Sequence, residues 1–508
     1  MKLSKKKIIN LCIKFRQKSA KAFLGHNYDL CLKYLQAVAY TNYTFYQGYK
    51  DDEIENILNK LSLKLKQQPF KMFVKENRCV FYDSFSLNNK GLTQQYLRAI
   101  FNAGWELLYV TETPKNYKYS RDIITELLQY PFSTIVYIPH NLSGLKRSQY
   151  IYDKIMDFNP SKLFMHITPW SVEATTAFYK IPKSVIKYQI NLTDHTFWIG
   201  SKCLDYSLEF RNYGATISKK FRGISQNNIF ILPYYPIVNN STFRGFPSQC
   251  KDKVVIFSGG SYYKIVDGNN TYLELVKKIL DTYKETIVLF AGDGKQNLFK
   301  HFISENKYEE RFCLLGYRSD IDEVFRNCDI YLDTYPVGGG LMCQYAAKNS
   351  KPILCFEPTQ ANTLENFLCQ VDYENITTHT IEDFLEEAKC LITDKEYRVK
   401  KGRAINKGVI DNVQFESLFI RTILSNKNQI KYSLVDDTKM QGFNIYDKID
   451  YENNTKEYFV NIVKILRINA FFDIPIISFN AIFAVFKKYL ILIKKKIMLF
   501  VCKDSILK

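Results

Sequence analysis

The sequence lacks a long apolar run: its uncharged stretches of about 18 or more residues, 127–145 and 223–243, are each broken by two prolines and several polar residues, which excludes a polytopic membrane protein. It also lacks cysteines at metal-binding spacing. Twelve are scattered from Cys12 to Cys502 with no CxxC pair and no Cys/His cluster, so they read as free thiols of a reducing cytosol. A cleavable leader is not expected either. The apolar run Ile8–Ile13 is short, Lys14 and Arg16 follow at once, and no small-residue cleavage site succeeds it. The expected location is therefore cytoplasmic, where acceptor triplets such as Asn191-Leu192-Thr193 carry no meaning. Acid is absent from residues 1–21, which hold Lys2, Lys5, Lys6, Lys7, Lys14, Arg16, Lys18 and Lys21.

What is present is ordinary in composition and unusual in arrangement. Hydrophobic residues make up 46 % and charged residues 24 %, which excludes a disordered or fibrous chain. At about 100–200 residues per domain, 508 residues imply two to four domains. The formal net charge is +19. Residues 456–508 carry ten basic and three acidic groups, so only +4 remains for residues 22–455. A nearly neutral body with cationic ends argues against a nucleic-acid groove and for ends that meet an anionic surface.

Residues 1–75 read as a helical extension, with apolar positions at helical spacing through Leu30, Leu32, Tyr34, Leu35 and again Ile54, Ile57, Leu58, Leu61. From residue 76 to 240, short apolar strands alternate with amphipathic stretches: Cys79–Asp83, Trp105–Val110, Thr134–Ile138, Leu163–Ile167 and Val185–Ile190 are the strands. The alternation restarts over 241–425, with strands Lys253–Phe257, Ile287–Ala291, Phe312–Leu315, Ile330–Leu332 and Pro352–Phe356. Strand–helix alternation implies parallel βαβ units. Leu232-Pro233-Tyr234-Tyr235-Pro236 marks the connection between the halves. The fold class is α/β: two Rossmann-like doubly wound domains facing across a cleft, with helical N- and C-terminal extensions. Ligands bind such sheets at the carboxyl ends of the strands. Residues 426–508 read as a polar linker and a basic amphipathic tail.

Three strand ends carry candidate chemistry. The first is Asp329-Ile330-Tyr331-Leu332-Asp333-Thr334-Tyr335-Pro336-Val337-Gly338-Gly339-Gly340-Leu341-Met342, a strand, a turn, three glycines and a helix start. Glycines let backbone approach a bulky anion, and amides at a helix N-terminus point at it, as a diphosphate site requires. The alternative is a tight turn without a ligand. The second is Phe257-Ser258-Gly259-Gly260-Ser261-Tyr262-Tyr263-Lys264, where Lys264 could neutralise phosphate charge rather than face solvent. The third is Asn191-Leu192-Thr193-Asp194-His195-Thr196-Phe197-Trp198-Ile199-Gly200, where a His–Asp pair beside two aromatics could form a sugar platform. His166 is a weaker candidate for the same rim and His140 weaker still. Asp320 and Asp322 look like a metal-binding pair but read better as first-turn acids that complement the helix dipole and cap the backbone. No metal and no cofactor are expected.

These residues resemble the donor-binding domain of GT-B glycosyltransferases, of the broad bacterial family (family 4-like) that builds surface polysaccharides and glycoconjugates. The likeness runs through Phe257–Gly260, Leu289-Phe290-Ala291-Gly292-Asp293-Gly294, Leu314-Leu315-Gly316-Tyr317-Arg318 and Cys328–Met342 to Lys351-Pro352-Ile353, and covers about 252–425. Asp194–Gly200 is similar to the acceptor-domain loop that carries an active-site histidine in relatives. The resemblance implies a nucleotide-sugar donor, most often UDP-linked, which would contact Gly259, Gly260, Ser261, Gly292 and Pro336. Its diphosphate would lie over Gly338–Gly340, Leu341 and Met342, near Lys264. The base would sit after Gly316 against Tyr317 and Arg318, and His195, with Asp194, would reach the donor sugar. Retaining members carry a Glu-x7-Glu pair around the glycine loop. Here those positions fall on Pro336 or Val337 and on Gln344 or Tyr345, so the ribose contact would pass to Gln344, Glu357 or Glu365.

The tail continues Ile474–Phe486, a 13-residue uncharged run, then Lys487-Lys488 and Lys494-Lys495-Lys496. That run is short of the about 20 residues needed to span a bilayer, and lysines beside apolar residues suit a helix in the headgroup layer. The expectation is a cytoplasmic glycosyltransferase, peripheral at the inner face of the cell membrane, moving a sugar from a nucleotide diphosphate to a glycan or lipid-linked acceptor. A nucleotide-sugar 2-epimerase of the same fold and a non-catalytic binding subunit are the alternatives; a nucleic-acid partner is not expected.

Overall fold

The computed structural model describes residues 4–45, 47–69, 75–88, 91–238, 241–294, 296–358, 377–435 and 451–474. Glu365 and the tail from Pro475 onward lie outside the described residues.

Two parallel sheets organise the chain. The first comprises β1 (Lys75–Asp83), β2 (Glu106–Thr111), β3 (Ser133–Tyr137), β4 (Pro160–His166), β5 (Ile186–Ile190), β6 (Tyr206–Glu209) and β7 (Ile229–Ile231), in the order β3-β2-β1-β4-β5-β6-β7. The second comprises β8 (Val254–Gly259), β9 (Thr286–Ala291), β10 (Phe312–Gly316), β11 (Ile330–Leu332), β12 (Ile353–Phe356) and β13 (Thr377–Thr378), in the order β10-β9-β8-β11-β12-β13. Both follow the doubly wound pattern, in which strand order reverses beside the first strand and leaves a crevice outside the carboxyl ends. The reversal falls between β1 and β4 in one sheet and between β8 and β11 in the other.

All ten strands expected from the sequence form. Three more, β6, β7 and β13, escape the apolar-run criterion because they are two to four residues long. In β6 the polar side is interior: Glu209 is fully buried and takes hydrogen bonds from Ser207, Ser218 and Asn191. A buried carboxylate costs heavily unless donors serve it, and here three side chains do.

The helical extension is not a separate appendage. Helices Lys5–Leu24, Tyr28–Thr44 and Asp52–Ser62 share one apolar core with Val172, Phe197 and Ile199 of the first domain and with Tyr458, Phe459, Ile462 and Leu466 of the late helix Tyr451–Leu466. Glu55, fully buried, accepts the Gly200 amide at 2.6 Å, the Ser201 amide at 3.2 Å and the Tyr179 hydroxyl. Residues 426–435, expected as a polar linker, are irregular but tied down. Asn428 accepts the Ile231 amide at 2.8 Å, and the Val435 amide donates to Thr216 at 2.9 Å. The helix Asn412–Ser425 follows the second sheet in sequence, yet packs Phe415 and Phe419 on Tyr96, Trp105 and Phe164 of the first. Among the described residues no helix is long and apolar enough to cross a membrane.

Candidate functional site

At the mouth of the second sheet the glycines converge. Gly259 ends β8 and Gly260 follows it, Gly292 follows β9 and Gly316 ends β10. The Gly260 amide donates to Ala291 at 2.9 Å and the Gly292 amide to Gly316 at 2.9 Å. A Cβ on Gly292 would sit 1.9 Å from the Gly260 carbonyl oxygen, so the close approach of the β8 and β9 ends requires glycine there. The turn after Gly292 holds the next loop: Ser261 donates its hydroxyl to Asp293 at 3.1 Å, and the Tyr262 amide reaches the Asp293 carbonyl at 3.0 Å.

The loop after β11 faces this one across the strand-order reversal. Lys264 links them twice: its ammonium donates to the Gly338 carbonyl at 3.0 Å, and its carbonyl accepts the Val337 amide at 3.2 Å. Burial lowers the Lys264 pKa below its ordinary value, and the Asp333 carboxylate offsets part of that shift. The peptide bond Tyr335–Pro336 is cis. Behind it, the Thr334 hydroxyl donates to the Val337 carbonyl at 2.6 Å. The helix Gly340–Lys348 then begins, and the amides of Gly340, Leu341 and Met342 meet no acceptor among the described residues. An ammonium beside free helix-opening amides can hold an anion.

One expectation for this loop is corrected. Not every glycine amide faces outward. The Gly339 amide donates inward to the buried Asp333 carboxylate at 2.8 Å, which also accepts the Tyr331 hydroxyl at 3.0 Å. Burial raises the Asp333 pKa, and the Gly339 hydrogen bond works against that shift. Asp333 shapes the loop and withdraws the Gly339 amide from any ligand, leaving the Gly340, Leu341 and Met342 amides without an acceptor among the described residues.

Other expected contacts divide. Tyr317 is 65 % exposed beside the mouth, but the Arg318 guanidinium is spent internally. It forks onto Asp320 at 2.7 and 2.6 Å and donates to the Gly245 carbonyl at 2.9 Å. The arginine contact expected for the base is thus a brace for residues 244–246. Asp320 in turn accepts the Arg244 amide at 2.9 Å, and the Arg318 hydrogen bonds hold its pKa down at about 2. It precedes the helix Ile321–Asn327 but makes no side-chain cap, so the capping role expected of it is corrected. Asp322 pairs with Arg326 at 2.6 Å and Asn349 at 3.0 Å. Gln344 is 2 % exposed and donates to the Tyr234 carbonyl of the hinge at 3.3 Å, which turns it from the ribose role expected of it toward the seam between the lobes. Glu357 stands at the end of β12, its amide on the Thr378 carbonyl at 2.9 Å.

In the first sheet, His195 follows β5 with its side chain 35 % exposed and Nδ1 3.4 Å from Asp194. Asp194 is buried. Burial would push its pKa up, but the Arg211 fork at 2.5 and 3.0 Å outweighs that and holds the carboxyl well below the usual range. Arg222 fixes the same turn by donating to the carbonyls of Asp194 and Thr196 at 2.9 and 2.6 Å. The aromatic platform is corrected: Phe197 and Trp198 are 0 % and 2 % exposed, core residues beneath the loop with no face for a sugar. Among the described residues no hydrogen bond or ion pair joins His195 or Asp194 to Lys264 or the glycine loop.

One pair escaped the sequence reading. Asp83 and His166 end β1 and β4, stand opposite each other in register at the strand-order reversal, and meet at 3.1 Å. Asp83 also accepts from the Phe85 and Ser86 amides and the Thr93 and Tyr109 hydroxyls. Both side chains are fully buried, which places His166 below the rim expected for it. The signal was available: two titratable residues, each closing a strand. His140 lies exposed beyond the edge strand β3, away from the crevice.

No family model and no curated protein matches this sequence. Solved structures do. A glycosyltransferase from Rickettsia africae ESF-5 aligns over 70 % of this chain and 100 % of its own with a TM-score of 0.51 at 12 % identity. A putative UDP-N-acetylglucosamine 2-epimerase from Listeria monocytogenes aligns over 70 % and 100 % with a TM-score of 0.50 at 13 % identity. HepE from Anabaena, solved with UDP and glucose, aligns over 68 % and 99 % with a TM-score of 0.50 at 12 % identity. At such identities the likeness concerns architecture. The chain has the GT-B fold, two parallel-sheet domains of seven and six strands with helical extensions.

Proposed function

We propose that the protein is a glycosyltransferase that moves a sugar from a nucleotide diphosphate, UDP-linked in the first instance, to the hydroxyl of a glycan or lipid-linked acceptor. The observation that carries this reading is the Lys264–Gly338 link across the β8/β11 reversal, beside the unpaired amides of Gly340–Met342. These groups would hold the diphosphate over the glycine loop. In the transfer, the acceptor oxygen bonds to the anomeric carbon while the bond from that carbon to the β-phosphate oxygen breaks. The electron pair leaves on the diphosphate, and the acceptor's proton passes to a diphosphate oxygen or to water. The Lys264 ammonium and the helix N-terminus would stabilise the departing charge, and in this reading the step calls on no metal or other cofactor. His195 would touch the donor sugar from the opposite lobe. Because Asp194 is held ionised, it favours the tautomer that carries the proton on Nδ1 and leaves Nε2 to face the substrate. The GT-B neighbour solved with UDP and glucose supports a UDP-sugar donor. The setting would be surface-polysaccharide or glycolipid assembly at the inner face of the membrane.

A 2-epimerase is the second reading, supported by the full-length alignment of the Listeria monocytogenes structure. A third, a binding subunit without turnover, predicts donor binding and nothing else. Thermal shift against a panel of nucleotide sugars identifies the donor, since a saturating ligand raises apparent stability. UDP release that requires an acceptor supports transfer. Release or 2-epimer formation without one would replace it with epimerisation.

A further inference from the structure

The cationic first helix meets the last described residues ahead of the C-terminal tail. Lys14 donates to the Asp473 carbonyl at 2.5 Å, Lys18 pairs with the Asp473 carboxylate, and the Tyr34 hydroxyl donates to the same carboxylate at 2.7 Å. Arg16 is likewise satisfied by Asp51 and Glu53. Part of the N-terminal charge is therefore internal. Lys6, Lys7 and Lys21 of the helix Lys5–Leu24 remain exposed.

Large apolar side chains are exposed around that junction. Ile9 and Ile13 are 41 % and 47 % exposed on the first helix, and Phe471 and Phe472 are 39 % and 77 % exposed on the helix Asn469–Asp473. Lys14 adjoins Ile13 in sequence and contacts the residue after Phe472, so one lysine bridges the two apolar pairs. Buried counterparts on the same helices, Ile8, Phe15 and Ala470, face the shared core. The chain then continues from Ile474 into a sequence of apolar residues and lysine clusters.

We propose that this junction is a docking surface for an anionic phospholipid bilayer, in which Phe471, Phe472, Ile9 and Ile13 enter the headgroup boundary while the surrounding lysines pair with lipid phosphates. Charge complementarity selects this occupant. Lys6, Lys7 and Lys21 are exposed on the acid-free first helix, and Lys464 and Arg467 are exposed just ahead of Phe471 and Phe472, so a second copy of the same cationic junction would be repelled. The inference is independent of the nucleotide-sugar reading, since neither glycine loop takes part.

The test uses the full chain with vesicles of phosphatidylcholine alone or with about one third phosphatidylglycerol, read by co-sedimentation. Binding to the anionic vesicles at low salt, release as salt screens the lysines, and none to phosphatidylcholine are expected. Phe472→Ser with Ile13→Ser should lower the vesicle partition about tenfold or more while thermal unfolding and UDP binding stay unchanged. Hydrogen exchange on the unaltered chain should slow within 5–24 and 467–474 when anionic vesicles are added. Equal binding to neutral vesicles, no binding, an unaffected double variant, protection confined to other segments, or a dimer that these substitutions dissociate would each overturn the proposal. Loss of UDP binding with vesicle binding intact would count against the nucleotide-sugar reading alone.

Discussion

The Lys264 ammonium lies 3.0 Å from the Gly338 carbonyl oxygen, so a cation from the loop after β8 rests on the glycine loop after β11. A side chain that crosses the strand-order reversal of a parallel sheet is positioned for whatever binds there. Lys264→Ala is expected to weaken UDP binding by about 1.5–3 kcal/mol, the range of a hydrogen bond to a charged group, and to cut turnover further. Lys264→Arg should recover part of the affinity. Calorimetric titration with UDP checks both, and unchanged affinity in the alanine variant would remove Lys264 from the site.

Gly292→Ala tests the glycine cluster. Its Cβ would meet the Gly260 carbonyl oxygen at 1.9 Å, backbone against side chain, with no flexible atom able to yield. A loss of about 2–4 kcal/mol in unfolding free energy is expected, together with weaker UDP binding as the Gly260 loop shifts. Gly316, with open space around it, should tolerate alanine sterically and be destabilised only by the strain that its φ of +65° imposes on a side chain. Chemical denaturation of the two variants side by side provides the comparison.

Asp194→Asn would leave Arg211 buried without its counter-charge, at a cost of about 3–5 kcal/mol at neutral pH. The sign with pH follows from the depressed pKa of Asp194. Its stabilisation is fully present above the unfolded-state pKa and is lost as pH falls toward the folded one. The gap between wild type and variant should be flat above about pH 5 and narrow below about pH 4. Urea unfolding across that range reads it directly. His195→Ala, by contrast, should spare stability and reduce turnover.

Glu55 gives the opposite sign. Burial is the leading cause of its raised pKa, with the Tyr179, Gly200 and Ser201 hydrogen bonds opposing it. The ionised form is thus disfavoured on folding, and the wild type loses stability as pH rises above the unfolded-state value of about 4.3. Glu55→Gln keeps an acceptor for Gly200 and Ser201 and should gain on the wild type with rising pH. Glu55→Ala should cost about 2–3 kcal/mol, because two buried amides lose their acceptor. Thermal melts at pH 6 and pH 8 separate the two substitutions.

The sheets were legible because each long strand is an apolar run closed by glycine or a polar residue, as at Val254–Gly259 and Thr286–Ala291. β6 was not, since one of its two buried faces is Ser207 and Glu209, polar groups that only a tertiary hydrogen-bond network makes tolerable. The site was legible in part for a similar reason. Glycine spacing marks a backbone path, so the Gly259, Gly292 and Gly338 loops came together as read. Side-chain direction leaves no local mark. Phe197 and Trp198 could as well have faced a sugar as the core, and Arg318 could as well have faced a base as Asp320. Phe197 is decided by the core it shares with the extension, Trp198 by its cluster with Ala215, Ile229 and Ile231, and Arg318 by the position of residues 244–246.

The return of the helix Asn412–Ser425 to the first sheet means that the two lobes are stitched by two separate passages of the chain, Leu232–Ile237 and the segment just before Asn412. Cutting one leaves the other holding. Proteolysis at the Pro233–Pro236 connection should release no free fragment under native conditions. An isolated first lobe ending near residue 240 would lack Phe415 and Phe419, leaving Tyr96, Trp105 and Phe164 bare and prone to aggregation. Any attempt to express the halves apart therefore has to carry residues 412–425 with the N-terminal piece.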